Sequence, residues 1–153
     1  MKRFENVGLG GTFDRLHSGH RLFLDIATYY GESVHIGLIS QSYLNKIHKN
    51  YRESIQNFQI RRKEIKSLLE KRKAQYSIST IENPGMDREL ASEGNLNALV
   101  VSQETYSGAY VINRLRASQG KSKLTIIVIP RVIRMNGTLE SSTRLRKEEL
   151  EKS

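Results

Sequence analysis

The stretch Gly10-Gly11-Thr12-Phe13-Asp14-Arg15-Leu16-His17-Ser18-Gly19-His20 restricts the fold more than any other part of the chain. Before it, Val7-Gly8-Leu9 reads as a short buried strand, and after it Leu22, Phe23, Ile26, Ala27 and Tyr30 recur at helical spacing. A strand, a turn of small residues and an amphipathic helix open a parallel α/β unit. The turn therefore meets the amino end of a helix, where unpaired N–H groups and the dipole favour an anion. Gly10 and Gly11 let the backbone approach such a ligand closely, and Gly19 does the same between the histidines. His17 and His20 are three residues apart, so both can point toward one ligand at the helix mouth. For His17, packing or capping is the alternative reading.

The same alternation continues along the chain. Residues 34–39, 76–81, 98–102 and 124–129 read as further strands from their β-branched runs, with helices near 20–30, 57–72, 86–93 and 107–118 between them. Pro130 ends the last strand, and a final helix follows Ser141. The expected fold is a single doubly wound, Rossmann-like α/β domain over residues 1–153, with a five-stranded parallel sheet and helices on both faces. In such folds ligands bind beyond the carboxyl ends of the strands, where Gly11, Ser40, Ser102 and the segment after Pro130 fall.

Composition narrows the function classes. A chain of 153 residues suffices for one core, and it has neither a long apolar run nor a charged-then-apolar leader, so no membrane association is expected. With no cysteine, a cytoplasmic location is the default. The net charge of +9 raises nucleic-acid binding as a competing class. Much of it lies in Arg61, Arg62, Lys63, Lys66, Lys71, Arg72 and Lys73, on a helix whose apolar face is Phe58, Ile65, Leu68 and Leu69. Without interleaved aromatics for base stacking, that cluster reads as a solvated face, and anionic small substrates explain the excess equally well. No nucleic-acid partner is expected.

Two further clusters carry chemistry. Glu140-Ser141-Ser142-Thr143-Arg144-Leu145-Arg146 places hydroxyls at the start of the last helix with two arginines behind them. The hydroxyls suit an N-cap, and the whole group suits a triphosphate. Val100-Val101-Ser102-Gln103-Glu104-Thr105 leads into a helix carrying Ile112-Asn113-Arg114-Leu115-Arg116. After the second strand, Lys46 and Lys49 are both candidates for a phosphate-bridging cation. His35, alternating with apolar residues inside a strand, reads as structural, and His48 has no distinguishing spacing. The acidic residues form no recognisable metal-ligating pattern.

These three clusters, in this order, resemble the HxGH nucleotidylyltransferase superfamily. The Val-Val-Ser-x-Glu-Thr and Ile-Asn-x-x-Arg runs are similar to the archaeal and eukaryotic type of phosphopantetheine adenylyltransferase. The resemblance departs at Glu140, where the family has isoleucine, and at Asn83-Pro84-Gly85-Met86-Asp87, where Gly-Pro-Thr is common, leaving the role of Asp87 open. It implies adenylyl transfer from ATP to 4′-phosphopantetheine, in coenzyme A biosynthesis, with Mg2+ held chiefly by the triphosphate. It further implies His20 and Lys46 as catalytic residues. Gly10, Gly11, Thr12, Phe13, His17, His20, Ser141, Ser142, Thr143 and Arg146 would bind the nucleotide. Thr12, Lys46, Glu104, Thr105, Asn113 and Arg116 would bind the acceptor. A monomer that also binds its product or coenzyme A is the accompanying expectation. The alternatives are a related cytidylyltransferase with another phosphorylated acceptor and a non-catalytic RNA-binding domain.

Overall fold

A computed structural model describes residues 3–16, 18–46, 55–103 and 105–130, with the side chains at 18, 84, 87 and 93 excepted. Five strands, β1 (Phe4–Gly11), β2 (Gly31–Ile39), β3 (Gln75–Ile81), β4 (Ala98–Ser102) and β5 (Thr125–Ile129), alternate with helices. The helices are α1 (Ser18–Tyr30), α2 (Gln41–Lys46), α3 (Phe58–Lys71), α4 (Pro84–Glu93) and α5 (Tyr106–Ser118). The strands form one sheet in the order β3-β2-β1-β4-β5, and every neighbouring pair is parallel. The chain thus steps outward from β1 through β2 to β3, then returns to place β4 on the other flank of β1. That reversal is the topological switch point of a doubly wound sheet, and it sets the crevice between the ends of β1 and β4.

Burial follows the side-chain alternation of each strand. Val7 and Leu9 of β1, Val34, Ile36 and Leu38 of β2, and Ala98 and Val100 of β4 pack with Leu24 and Ala27 of α1 and Ile65 and Leu69 of α3. On the opposite face Leu99 and Val101 of β4 pack with Ala109 of α5 and with Leu124. A strand buried on both faces reads as an unbroken apolar run, which is why β4 is Ala-Leu-Val-Val. The second face of β2 and β3 is polar instead. There His35 Nδ1 lies 2.7 Å from Ser77 Oγ, and its Nε2 lies 2.8 Å from Asn6 Oδ1. Burial lowers the His35 pKa below its ordinary 6.5, so the neutral ring is favoured among these partners.

Helix ends follow local chemistry. Asn57 accepts from Ile60 N to cap α3, and Asn83 accepts from Gly85 N and Met86 N ahead of a proline in the first turn of α4. The α1 helix runs directly into β2. Its first strand residue has to be Gly31, because a Cβ there would lie 2.8 Å from Val7 Cγ2 and 3.0 Å from the Ala27 carbonyl oxygen.

Two features differ from the sequence reading. The short α2 helix is unanticipated, since six residues with only Leu44 buried offer no period to detect. Ser40 starts it, accepting from Tyr43 N at 3.1 Å and, through its carbonyl, from Leu44 N at 3.1 Å. The second difference is Arg61, expected on the solvated face of its helix and found at 0% exposure. It occupies the same stripe as Ile65 and Leu69, at spacings of four and eight. The expected helix after Ser141 lies outside the described residues.

Candidate functional site

The turn that leaves β1 is held from below by buried polar groups. Thr12, Phe13 and Asp14 are all buried, and Phe13 and Arg15 take positive φ values of 52° and 48°. For residues with a Cβ such a backbone costs roughly 1–2 kcal/mol each, so surrounding contacts must impose it. Those contacts are visible. The Asp14 carboxylate accepts from Gln56 N at 2.8 Å and from Arg15 Nη1 at 2.7 and 2.9 Å. Arg15 N donates to Gln56 Oε1 at 2.8 Å. Arg61 Nη1 donates to the Thr12 carbonyl at 2.9 Å and to the Ile39 carbonyl at 2.8 Å, while its Nε donates to the Gln56 carbonyl at 2.9 Å. Burial lowers the Arg61 pKa, and the nearby Asp14 charge opposes that shift.

The Phe13 ring is buried in the core and packs back against Gly11. A Cβ on Gly11 would lie 3.3 Å from Phe13 Cε2, so a small residue lets the ring fold back over the strand end. The ring also meets His20 on the first turns of α1, with centroids 5.3 Å apart and planes tilted by 47°. Gly10, Gly11, Thr12, Phe13 and His20 are thereby brought to one place, at the carboxyl end of β1 and the amino end of α1. Lys46 is exposed at the end of α2, which leaves the neighbouring strand β2 directly. Ser102 closes β4 on the other flank, and Thr105 Oγ1 accepts from Ser102 N at 3.0 Å, turning the chain into α5. The ends of three adjacent strands therefore bear sequence-predicted site residues.

Asn113 and Arg116 are engaged with backbone groups. Asn113 Nδ2 donates to the Leu124 carbonyl at 3.0 Å, and its Oδ1 accepts from Leu124 N at 2.8 Å. Arg116 is buried and donates to the Ser122 carbonyl at 2.8 Å and the Ala91 carbonyl at 3.0 Å. Asn113 thus braces the residue before β5, and Arg116 ties that approach to the end of α4, at the amino ends of the strands and away from the carboxyl end of β1 that bears the Thr12 turn. His17, Lys49, Glu104, Ser141, Ser142, Thr143, Arg144 and Arg146 lie outside the described residues, as does His48, and so does the Asp87 side chain. Among the described residues no cluster of three or more His, Asp or Glu could hold a metal ion. None of their helices is long and apolar enough to cross a membrane.

The sequence reading missed the support beneath the turn. Asp14, Gln56 and Arg61 come from two separate segments and meet only in three dimensions. The spacing of Arg61 to Ile65 and Leu69 was the available signal.

Comparisons with known proteins agree with this geometry. Residues 9–148 match the cytidylyltransferase-like family. The phosphopantetheine adenylyltransferase of Pyrococcus horikoshii is 42% identical over 95% of this chain and 90% of its own length. That of Methanopyrus kandleri is 34% identical over 97% of this chain and 92% of its own. A crystal structure of a protein of unknown function from Archaeoglobus fulgidus superposes with a TM-score of 0.66 at 33% identity, covering 84% of this chain and 89% of that one. The pantoate-beta-alanine ligase of Francisella tularensis, at 15% identity and a TM-score of 0.58 over 93% of this chain and 65% of that one, shares the fold. The chain belongs to the cytidylyltransferase-like family, among its phosphopantetheine adenylyltransferases.

Proposed function

We propose that this protein transfers the adenylyl group of ATP to 4′-phosphopantetheine, releasing pyrophosphate and forming dephospho-coenzyme A. The observation that carries this reading is the near full-length similarity to phosphopantetheine adenylyltransferases at 34–42% identity. The Thr12 to His20 turn, placed at the sheet's switch point, supports it.

The reaction needs alignment and charge stabilisation more than proton transfer. A phosphate oxygen of the acceptor, already anionic, attacks the α-phosphorus. A new P–O bond forms, the α–β bridging P–O bond breaks, and its electron pair leaves on pyrophosphate. Backbone amides at Gly10, Gly11 and Thr12, with the amino end of α1, suit the nucleotide phosphates. His20 donates to the α-phosphoryl oxygens as charge develops there, and Lys46 from the neighbouring strand end neutralises the two substrates' phosphates. Mg2+ bound with ATP would be held chiefly by the triphosphate and would offset its charge. Ser141, Ser142, Thr143 and Arg146 act on the nucleotide side, and Thr12 and Thr105 face the acceptor. The enzyme acts as a cytoplasmic monomer in one domain.

Pyrophosphate release measured over ATP and CTP, crossed with phosphopantetheine and other phosphorylated acceptors, tests this. Turnover should require ATP and phosphopantetheine together. Equal turnover with CTP, or turnover with a different acceptor only, would replace the proposed substrate pair.

A further inference from the structure

We infer that Arg61 is a positioning residue for the transfer reaction, acting as a tie that sets the Thr12 to His20 turn against the Lys46-bearing end of β2. This rests on the substrate reading above. An arginine at 0% exposure is costly to bury, and an apolar residue in the stripe with Ile65 and Leu69 would pack there without that cost. Nη1 and Nε are both paired, while the buried Nη2 has no hydrogen-bond partner among the described residues. The two hydrogens of Nη1 go to the carbonyls of Thr12, just after β1, at 2.9 Å and of Ile39, the last residue of β2, at 2.8 Å.

Each of those carbonyls lies at a strand end from which the chain leads to a candidate donor. Thr12 opens the turn that leads to His20, and Ile39 ends β2 immediately before Ser40 and α2, whose last residue is Lys46. Nε binds the Gln56 carbonyl at 2.9 Å, and Gln56 in turn holds Asp14 and the Arg15 amide. One guanidinium thus links both strand ends to the contacts that impose the positive φ values of Phe13 and Arg15. Asn57 fixes its origin by capping α3 and accepting from Arg61 N at 3.1 Å through its carbonyl. Lysine offers one compact ammonium in place of this fork and cannot span all three carbonyls with the same geometry. Since a displacement of reacting groups by an ångström costs about 10²-fold in rate, a loosened tie should appear in kcat.

The test uses Arg61→Ala and Arg61→Lys in the full chain, each checked for cooperative unfolding. In both variants, hydrogen exchange of residues 12–20 and 40–46 should quicken by about tenfold or more, with residues 98–118 unchanged. With ATP and phosphopantetheine, kcat should fall by about 10²-fold while both KM values move by less than about fivefold. Added methylguanidinium should restore kcat in Arg61→Ala, and ammonium should not. Exchange that quickens uniformly along the chain, or a folded variant with parental kcat, overturns the inference and leaves Arg61 a stabilising residue only. If the parent protein fails to turn over this substrate pair, the substrate reading falls, and the exchange comparison still decides whether the tie exists.

Discussion

Replacement of Asn113 by Ala separates a bracing role from an acceptor-binding one. The Asn113 amide exchanges two hydrogen bonds with the backbone N–H and C=O of one residue, Leu124, at 2.8 and 3.0 Å, and Leu124 is itself buried in the smaller core cluster. Alanine removes both partners at once and supplies none. At a net value of about 1 kcal/mol per hydrogen bond, the loss should be about 2 kcal/mol. With a urea m-value of roughly 2 kcal/mol/M for a chain of this size, the midpoint should fall by about 1 M with m unchanged. The melting temperature should drop by about 4–8 °C. Below the unfolding range, KM for phosphopantetheine should stay within about twofold of the parent, because the residue braces the approach to the amino end of β5, away from the strand end that carries the Thr12 turn. An unchanged urea midpoint together with a KM raised by about tenfold would refute the reasoning and return Asn113 to the acceptor.

Gly31→Ala forces a methyl group against Val7 and the Ala27 carbonyl oxygen, and chemical denaturation should show a loss of about 1–3 kcal/mol, or more if α1 cannot shift. His35 gives a pH signature. Its folded pKa lies below the unfolded 6.5, so the folded state binds fewer protons, and its contribution is complete above that value and lost as pH falls through and below it. Urea midpoints taken from pH 7.5 to pH 5.5 should fall less steeply in His35→Gln than in the parent, and parallel profiles would count against the burial argument. His20→Ala should lower kcat by about 10²-fold with ATP binding nearly retained, and a near-parental kcat in a folded variant would make His20 structural.

The sheet was legible because its strands carry their own signals. The unbroken Ala-Leu-Val-Val of β4 and the strict alternation of β2 place burial on two faces and one face respectively, and five such strands alternating with helices leave few topologies. The Thr12 to His20 turn was legible through its small residues and histidines. What supports it was not, because Gln56 and Arg61 lie more than forty residues beyond Asp14 and a charged residue on a charged helix reads as solvated until its neighbours at four and eight positions are weighed. The α2 helix escaped notice because its cap and single buried leucine occupy too little sequence to show a period. Asn113 and Arg116 illustrate a different limit. A motif shared with a family says that residues recur together, and it is silent on the backbone groups of Leu124, Ser122 and Ala91 that these two hold.

The central claim is that the α-phosphorus, and no other, is attacked by the acceptor. ATP labelled separately at the α- and γ-phosphates and incubated with the protein, Mg2+ and 4′-phosphopantetheine tests it directly. α-Label should appear in an adenylylated acceptor while γ-label leaves wholly as pyrophosphate. Transfer of γ-label to the acceptor, or release of labelled pyrophosphate without an adenylylated product, would contradict it.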